Sequence, residues 1–222
     1  MPNLEAYYPF DDDTAADMSG NNRDGTWDQG TETYGEGIMG RAASFDGSSR
    51  IVVDAFANFA WGDQFTISLW FNRAGCDGNY QGIANGGGYH AEGSWEIRMG
   101  REGGCSSVGG GVVTASHGAT WDHLGVSQGG TVPAAATDEW HHAVCTYDGS
   151  QVNFYLDRDA PAASSQDSGD LLVDPDGVYI GQAGPPRSNE YFTGLVDEVM
   201  IYTQAATAAD VEDLFAGASG GR

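Results

Sequence analysis

Gly194-Leu195-Val196-Asp197-Glu198-Val199-Met200-Ile201-Tyr202 is the stretch on which the reading of this chain turns. Apolar and other residues alternate along it with a strand's period of two, because successive side chains on extended backbone point to opposite faces. An Asp-Glu pair sits in its middle. Near the other end of the chain, residues 11–17 run into Ser19-Gly20-Asn21-Asn22-Arg23-Asp24-Gly25, a loop dense in short carboxylates, amides and glycines. Such a loop turns carboxylates and backbone carbonyls toward one point, as a hard cation requires. A sandwich that brings its two ends together would place Asp197 beside that loop. The two segments therefore point to a calcium site pinning the termini.

Working outward, the sequence predicts strand after turn after strand. Residues 4–8 form a first strand, and 41–45 and 50–54 form a hairpin around Asp46-Gly47, a strong turn signal. Residues 65–72 alternate as a central strand. Residues 80–85 and 94–100 flank a long glycine-rich loop at 86–93, and a short strand is expected at 111–115. Residues 140–147 and 151–156 pair around Asp148-Gly149. Asp174-Pro175-Asp176-Gly177 carries Pro and Gly where a type I turn takes them, ahead of a strand at 178–181, and residues 191–202 close the sheet. The one expected helix spans 208–216. Thr207 is its N-cap with Asp210 three residues on, Val211, Leu214 and Phe215 share a face, and Gly217 is its stop. The expectation is an all-β fold, a two-sheet antiparallel β-sandwich with one short C-terminal helix. One domain covers residues 1–216, and 217–222 form a tail or linker.

Composition sets bounds independently. The 222 residues suit one large β domain, with 6 Trp, 10 Tyr and 9 Phe to fill a core and 34 Gly for turns. No apolar run is long enough to cross a membrane as a helix. The start, Met1-Pro2-Asn3-Leu4, has neither a basic region nor an apolar stretch, so a domain cut from a larger exported protein is expected. The formal net charge is −23, every cation is arginine and lysine is absent. A surface of one sign repels itself at low salt and is screened at high salt, which fits either an acidic secreted domain or a halophilic one. Nucleic acid is excluded as a partner because there is no basic patch. Of the three cysteines, Cys76 and Cys105 lie in Gly-rich loops and are expected to form a disulfide worth ~3 kcal/mol by chain entropy, which implies an oxidising compartment. Cys145 lies in a strand and is expected as a buried free thiol.

The chain resembles the laminin-G-like jelly roll of the concanavalin A-like lectin/glucanase superfamily. The resemblance is carried by Asp17 with Ser19-Gly20-Asn21, by Ala43-Ser44-Phe45-Asp46-Gly47-Ser48-Ser49 and by Phe65-Thr66-Ile67-Ser68-Leu69-Trp70-Phe71. It continues through Trp140-His141-His142-Ala143-Val144 with Tyr147-Asp148-Gly149 and ends at Gly194-Leu195-Val196-Asp197-Glu198-Val199, in the family's order over nearly the whole chain. By this resemblance the calcium would be held by Asp17, by carbonyls around Asn22 and Gly47, and by Asp197. Oxygen ligands suit Ca2+, whereas zinc is a poor fit because His141 and His142 are strand neighbours that face opposite ways.

The glucanase branch works with alternating carboxylates on one strand, and no Glu-x-Asp-x-x-Glu occurs here. Asp197 and Glu198 are adjacent and point apart. The alginate-lyase branch uses a Gln-Ile-His strand, and this chain offers only Glu96-Ile97-Arg98. A noncatalytic module is therefore expected. Trp70 and Trp140 match recurring core aromatics, while Trp27 and Trp61 stand beside turns and are open to either role. Segments without family counterparts are the candidates for ligand contact. They are Tyr89 and His90 in one loop, and His117, Trp121 and His123 in another, with Arg98 and Arg101 beside them. The expected function is a lectin-like, carbohydrate-binding module, extracellular or at the cell surface, that binds a polysaccharide or glycan. The alternatives are a calcium-stabilised adhesion module with a protein partner and a polysaccharide-degrading enzyme with an unfamiliar site.

Overall fold

The computed structural model describes residues 1–75, 78–88, 94–100, 107–112, 137–157, 163–166, 171, 173–185 and 189–219. In chain order these form β1 (Leu4–Tyr8), β2 (Thr26–Gln29), β3 (Tyr34–Glu36), β4 (Arg41–Asp46) and β5 (Arg50–Val53), followed by a 3-10 turn at Asp54–Phe56. Next come β6 (Phe65–Arg73), β7 (Gln81–Gly86), β8 (Trp95–Met99), β9 (Val108–Val112), β10 (Trp140–Tyr147) and β11 (Gln151–Leu156). The chain continues through β12 (Ala163–Gln166), β13 (Val178–Ile180) and β14 (Thr193–Tyr202) to α1 (Ala208–Ser219). Among the described residues no helix is long and apolar enough to cross a membrane.

Two antiparallel sheets pack face to face. One runs β12-β11-β10-β6-β14-β4-β3, with β1 also paired to β14, and the other runs β2-β5-β13-β7-β8-β9. Strand alternation builds the core between them. Phe65, Ile67, Leu69 and Phe71 of β6 and Trp95, Ile97 and Met99 of β8 are fully buried in one apolar cluster. The Phe65 and Trp95 rings meet across the gap at 4.8 Å. Trp61 joins them, stacked on Phe56 at 5.1 Å, so it is a core residue. The other face of β6 is buried too, because α1 lies over it. Phe215 packs 5.0 Å from Trp70, and Val211 clusters with Val144 and Tyr155. Cys145 is buried as a free thiol, and burial, with Glu96 nearby, pushes its pKa up to about 12.

The edges differ from the sequence expectation. β2 and β3 are edge strands of three or four residues with exposed polar positions, too short to give a periodic signal. β9 begins at Val108 rather than at 111, and a Gly-Gly-Gly run at 109–111 reads as loop. Packing favours Gly110 there, since a Cβ would stand 3.0 Å from Phe154 and 3.1 Å from Cys145 and push on both. α1 runs through Gly217 to Ser219, because Gly217 does not take the left-handed φ by which a capping glycine ends a helix. Cys76 and Cys105 lie outside the described residues.

Candidate functional site

β14 holds the termini together, and its Asp-Glu pair marks the point where it changes neighbours. One of its edges pairs with β6 throughout, with a register break between Asp197 and Met200. The other pairs with β4 over Thr193–Val196 and with β1 over Val199–Tyr202. Glu198 adopts φ +51° at this junction, and its carboxylate accepts the Tyr7 hydroxyl at 2.9 Å. The neighbouring carboxylate turns to the 37–40 turn instead. Asp197 Oδ2 accepts the N–H groups of Ile38 at 2.9 Å and Met39 at 3.3 Å, and Oδ1 accepts that of Glu198 at 2.8 Å. Gly37 makes room for it, because a Cβ there would lie 2.5 Å from Asp197 Oδ2. Asp197 is fully buried, and that burial, with Glu198 adding repulsion, pushes its pKa up to about 8 despite the three N–H donors.

Asp17 serves a different purpose. Its Oδ1 accepts N–H from Tyr7 at 3.0 Å and Ser19 at 2.9 Å, and its Oδ2 accepts the Ser19 hydroxyl at 2.9 Å and the Arg23 N–H at 3.0 Å. Partial burial alone would raise its pKa, but these donors outweigh it and hold the carboxyl below its usual range. All four acceptor positions of the carboxylate are filled. The Tyr7 backbone groups that meet this loop, its N–H to Asp17 and its carbonyl to Met18 N, point away from β14. Asp17 therefore sits beyond β1, two strand spacings or ~10 Å from β14.

The four residues expected to share a calcium are thus not brought to one point. Gly47 lies beside Thr193 at the start of β14, four residues and ~13 Å along the strand from Asp197. Asn22 is exposed, in the left-handed region at φ +57°, with its amide on the Gly20 carbonyl. Among the described residues no three His, Cys, Asp or Glu side chains group to hold a metal. Asp17 caps its own loop and has no lone pair to give. Asp197 keeps one open acceptor position, and among the described residues no cationic side chain is paired to it.

Of the expected ligand contacts, Arg98 is described, and Tyr89, His90, Arg101, His117, Trp121 and His123 lie outside the described residues. On β8, Trp95, Ile97 and Met99 face the core, so Glu96 and Arg98 share the opposite face. Arg98 Nε meets Glu96 Oε1 at 2.9 Å, its terminal nitrogen lies 3.8 Å from Glu190, and its guanidinium covers the Tyr80 ring at 4.3 Å. Gly82, the register partner of Arg98, makes this possible. A Cβ there would collide with the 182–183 backbone at 2.1 Å, and that close approach carries Glu190 in, its carbonyl accepting from Gly82 and Ala183. All three charged side chains are at most 6% exposed. Sequence reasoning missed Glu190, which is not on β8 or its partners and comes near only through that glycine.

His141 and His142 face opposite ways as expected. His141 bonds Asp157 at 2.8 Å, and His142 Nε2 bonds Ser68 Oγ at 2.8 Å beneath α1. Burial lowers the pKa of His142 to about 4 against the opposing pull of Asp157.

Comparison with known proteins places the fold. A laminin-G family model, described as the concanavalin A-like lectin/glucanases superfamily, matches residues 45–212. The chain belongs to this superfamily. Domain 4 of AbnA, a GH43 extracellular arabinanase from Geobacillus stearothermophilus solved in complex with arabinotriose, superposes with a TM-score of 0.74. The identity is 23%, over 96% of this chain and 98% of that one. The binding domain of Paraclostridial Mosquitocidal Protein 1 matches with a TM-score of 0.69 at 17% identity. The receptor binding domain of botulinum neurotoxin C/D mosaic serotype matches with the same TM-score at 12% identity. Each toxin match covers 97% of this chain, which spans about half of either toxin chain, at 52% and 51%. No curated protein sequence matches this chain.

Proposed function

We propose that this superfamily member is a noncatalytic glycan-binding module of an exported protein, recognising its ligand on the outer face of the β8 sheet around Arg98. The observation that carries the reading is the Arg98, Glu96, Glu190 and Tyr80 group. Burying two carboxylates and a guanidinium costs desolvation energy that apolar packing would avoid, so such a group marks a face kept polar for use. At 6% exposure or less these charges shape the face from beneath, and the half-buried Tyr80, held on one side by the Arg98 guanidinium, is the ring left to meet a sugar. The inserted segments bearing Tyr89, His90, His117, Trp121 and His123 adjoin β7, β8 and β9 in sequence and supply the remaining contacts. The full-length likeness to an arabinanase domain bound to arabinotriose supports a sugar as the ligand. Noncatalytic action is supported by the division of labour between Asp197 and Glu198, which are engaged on different partners.

Calcium enters this reading through the one open acceptor position of Asp197, where a cation would hold the carboxyl ionised and offset its burial. It would act as a stabiliser of the β14 junction and make no contact with the sugar. A second reading, docking to a protein receptor, is favoured by the likeness to two toxin binding domains.

Affinity electrophoresis through gels containing neutral polysaccharides separates these readings. Retarded wild type, with Trp121→Ala or Arg98→Ala folded but unretarded, supports the glycan site. Unchanged retardation of both variants removes the Arg98 face from it.

A further inference from the structure

Trp27 is placed unlike the core tryptophans, at the open side of the sandwich where the edge strands β2 and β3 of the two sheets meet. We propose that the cleft beside Trp27 is a second binding site, for the end of a neutral, hydroxyl-rich glycan chain. It rests on the glycan-binding reading and adds a site remote from Arg98, since β2 and β8 lie toward opposite ends of their sheet.

The cleft has a volume of about 330 Å3 and is lined by Trp27 together with Thr14, Asp24, Gly25, Thr26 and Glu32. That is the lower end of small-ligand clefts, ~300–1,000 Å3, and suits a chain end rather than a long polymer segment. Trp27 pairs with Ile51, and its ring packs 5.2 Å from Phe45, which fixes it from the core side. Its indole N–H donates to the Tyr34 hydroxyl at 2.9 Å, and that hydroxyl donates to Glu32 Oε1 at 3.0 Å. Burial holds the Tyr34 pKa up at about 12, so the phenol remains a donor at neutral pH. Ring and carboxylate are thus set before a ligand arrives, which lowers the ordering cost of binding. Asp24 gives one oxygen to the Asp17 N–H at 2.9 Å and keeps the other. Gly25 is demanded by the floor, because a Cβ would stand 2.6 Å from Ile51 Cγ2.

The lining chemistry selects the ligand class. Carboxylates only accept hydrogen bonds, so the ligand must bring donors, and the indole wants an apolar face. A sugar offers hydroxyls at its rim and C–H groups on its face. Among the described residues no cation lines the cleft, and the chain carries a net charge of −23, so a uronate is repelled.

The test is a 15N NMR titration of the intact chain. The Trp27 indole resonance is assigned with Trp27→Phe, and the probes are arabinotriose, cellotriose and a galacturonate trimer. The expected result is a saturable shift of the Trp27 resonance with a neutral trisaccharide and none with the galacturonate. Glu32→Gln and Asp24→Asn, both on exposed side chains, should each weaken binding about tenfold, ~1.4 kcal/mol. Calorimetric binding of a neutral glycan with the Trp27 resonance unmoved, or unaffected by both variants, overturns the cleft and leaves the Arg98 site standing. Galacturonate binding as tightly as the neutral probes overturns the charge argument and with it the proposed ligand. No binding of any glycan by the folded chain overturns both sites.

Discussion

Replacing Asp17 tests whether the amino-terminal loop is held by hydrogen bonds or by a metal. Four donors converge on this carboxylate, and two of them, Tyr7 N–H and Arg23 N–H, come from outside the immediate turn. Bonds to a charged acceptor are worth ~1.5–3 kcal/mol each, but Asp17 is partly exposed and water takes over some of them. A net loss of ~2–4 kcal/mol follows for Asp17→Ala. In a chain of this length each kcal/mol shifts Tm by ~2–4 °C, so the melt should fall by ~5–15 °C. Asp17→Asn should be almost as damaging despite its matching shape, because the amide places a donor where two donors already point. The folded pKa lies below the ordinary value, so the stabilisation is complete above the unfolded pKa of ~3.9 and is lost as pH falls through the folded value. The gap between wild type and Asp17→Asn should therefore close below about pH 4. Melts at pH 7 with calcium and with chelator decide the mechanism. Equal losses in both conditions are expected. A loss that vanishes in chelator, or one under ~1 kcal/mol, would refute the hydrogen-bond account.

Other consequences are as concrete. Asp197 has its folded pKa raised to about 8, so in chelator the wild type should lose stability as pH rises from ~4 to 8, and Asp197→Asn should abolish that slope in thermal melts. Added calcium at pH 7 should raise the wild-type Tm and leave that of Asp197→Asn unmoved. An equal shift in both would remove Asp197 from cation binding. His142 has its folded pKa lowered to about 4, so its contribution is whole above the unfolded pKa of ~6.5 and is lost on acidification toward 4. His142→Leu should flatten stability across that window, measured by denaturant melts at each pH. Thiol titration should find no reactive group in the native chain, because Cys145 is buried with its thiol pKa near 12. In denaturant one thiol per chain indicates the Cys76–Cys105 disulfide, and three would disprove it.

The sheets were legible because long strands carry their period openly. Phe65 to Phe71 places four large apolar residues on one face, and that face is the core. Strands at both ends of the chain were legible as well, but neither their pairing nor the register break between Asp197 and Met200 was. Short edges were not: Thr26-Trp27-Asp28-Gln29 is too brief for periodicity, and its strand state comes from pairing with β5. Distant carboxylates were the hardest to read. Asp17 and Asp197 look alike as acidic residues near one end of a sandwich, yet β1 separates them, and each caps a different stretch of backbone. What distinguishes them is where N–H groups fall in space, and no local pattern encodes that. Glu190 shows the same limit, because it reaches Arg98 only through the close backbone approach that Gly82 permits.

The central claim is that the folded module binds glycan without turning it over. Isothermal titration of the wild-type chain with arabinotriose and a panel of neutral oligosaccharides, at seawater-like ionic strength, tests it directly. Saturable heat with at least one sugar, recovered unchanged afterwards by chromatography, is the predicted result. A folded chain that gives no heat with any of them, or that returns shortened sugars, would contradict it.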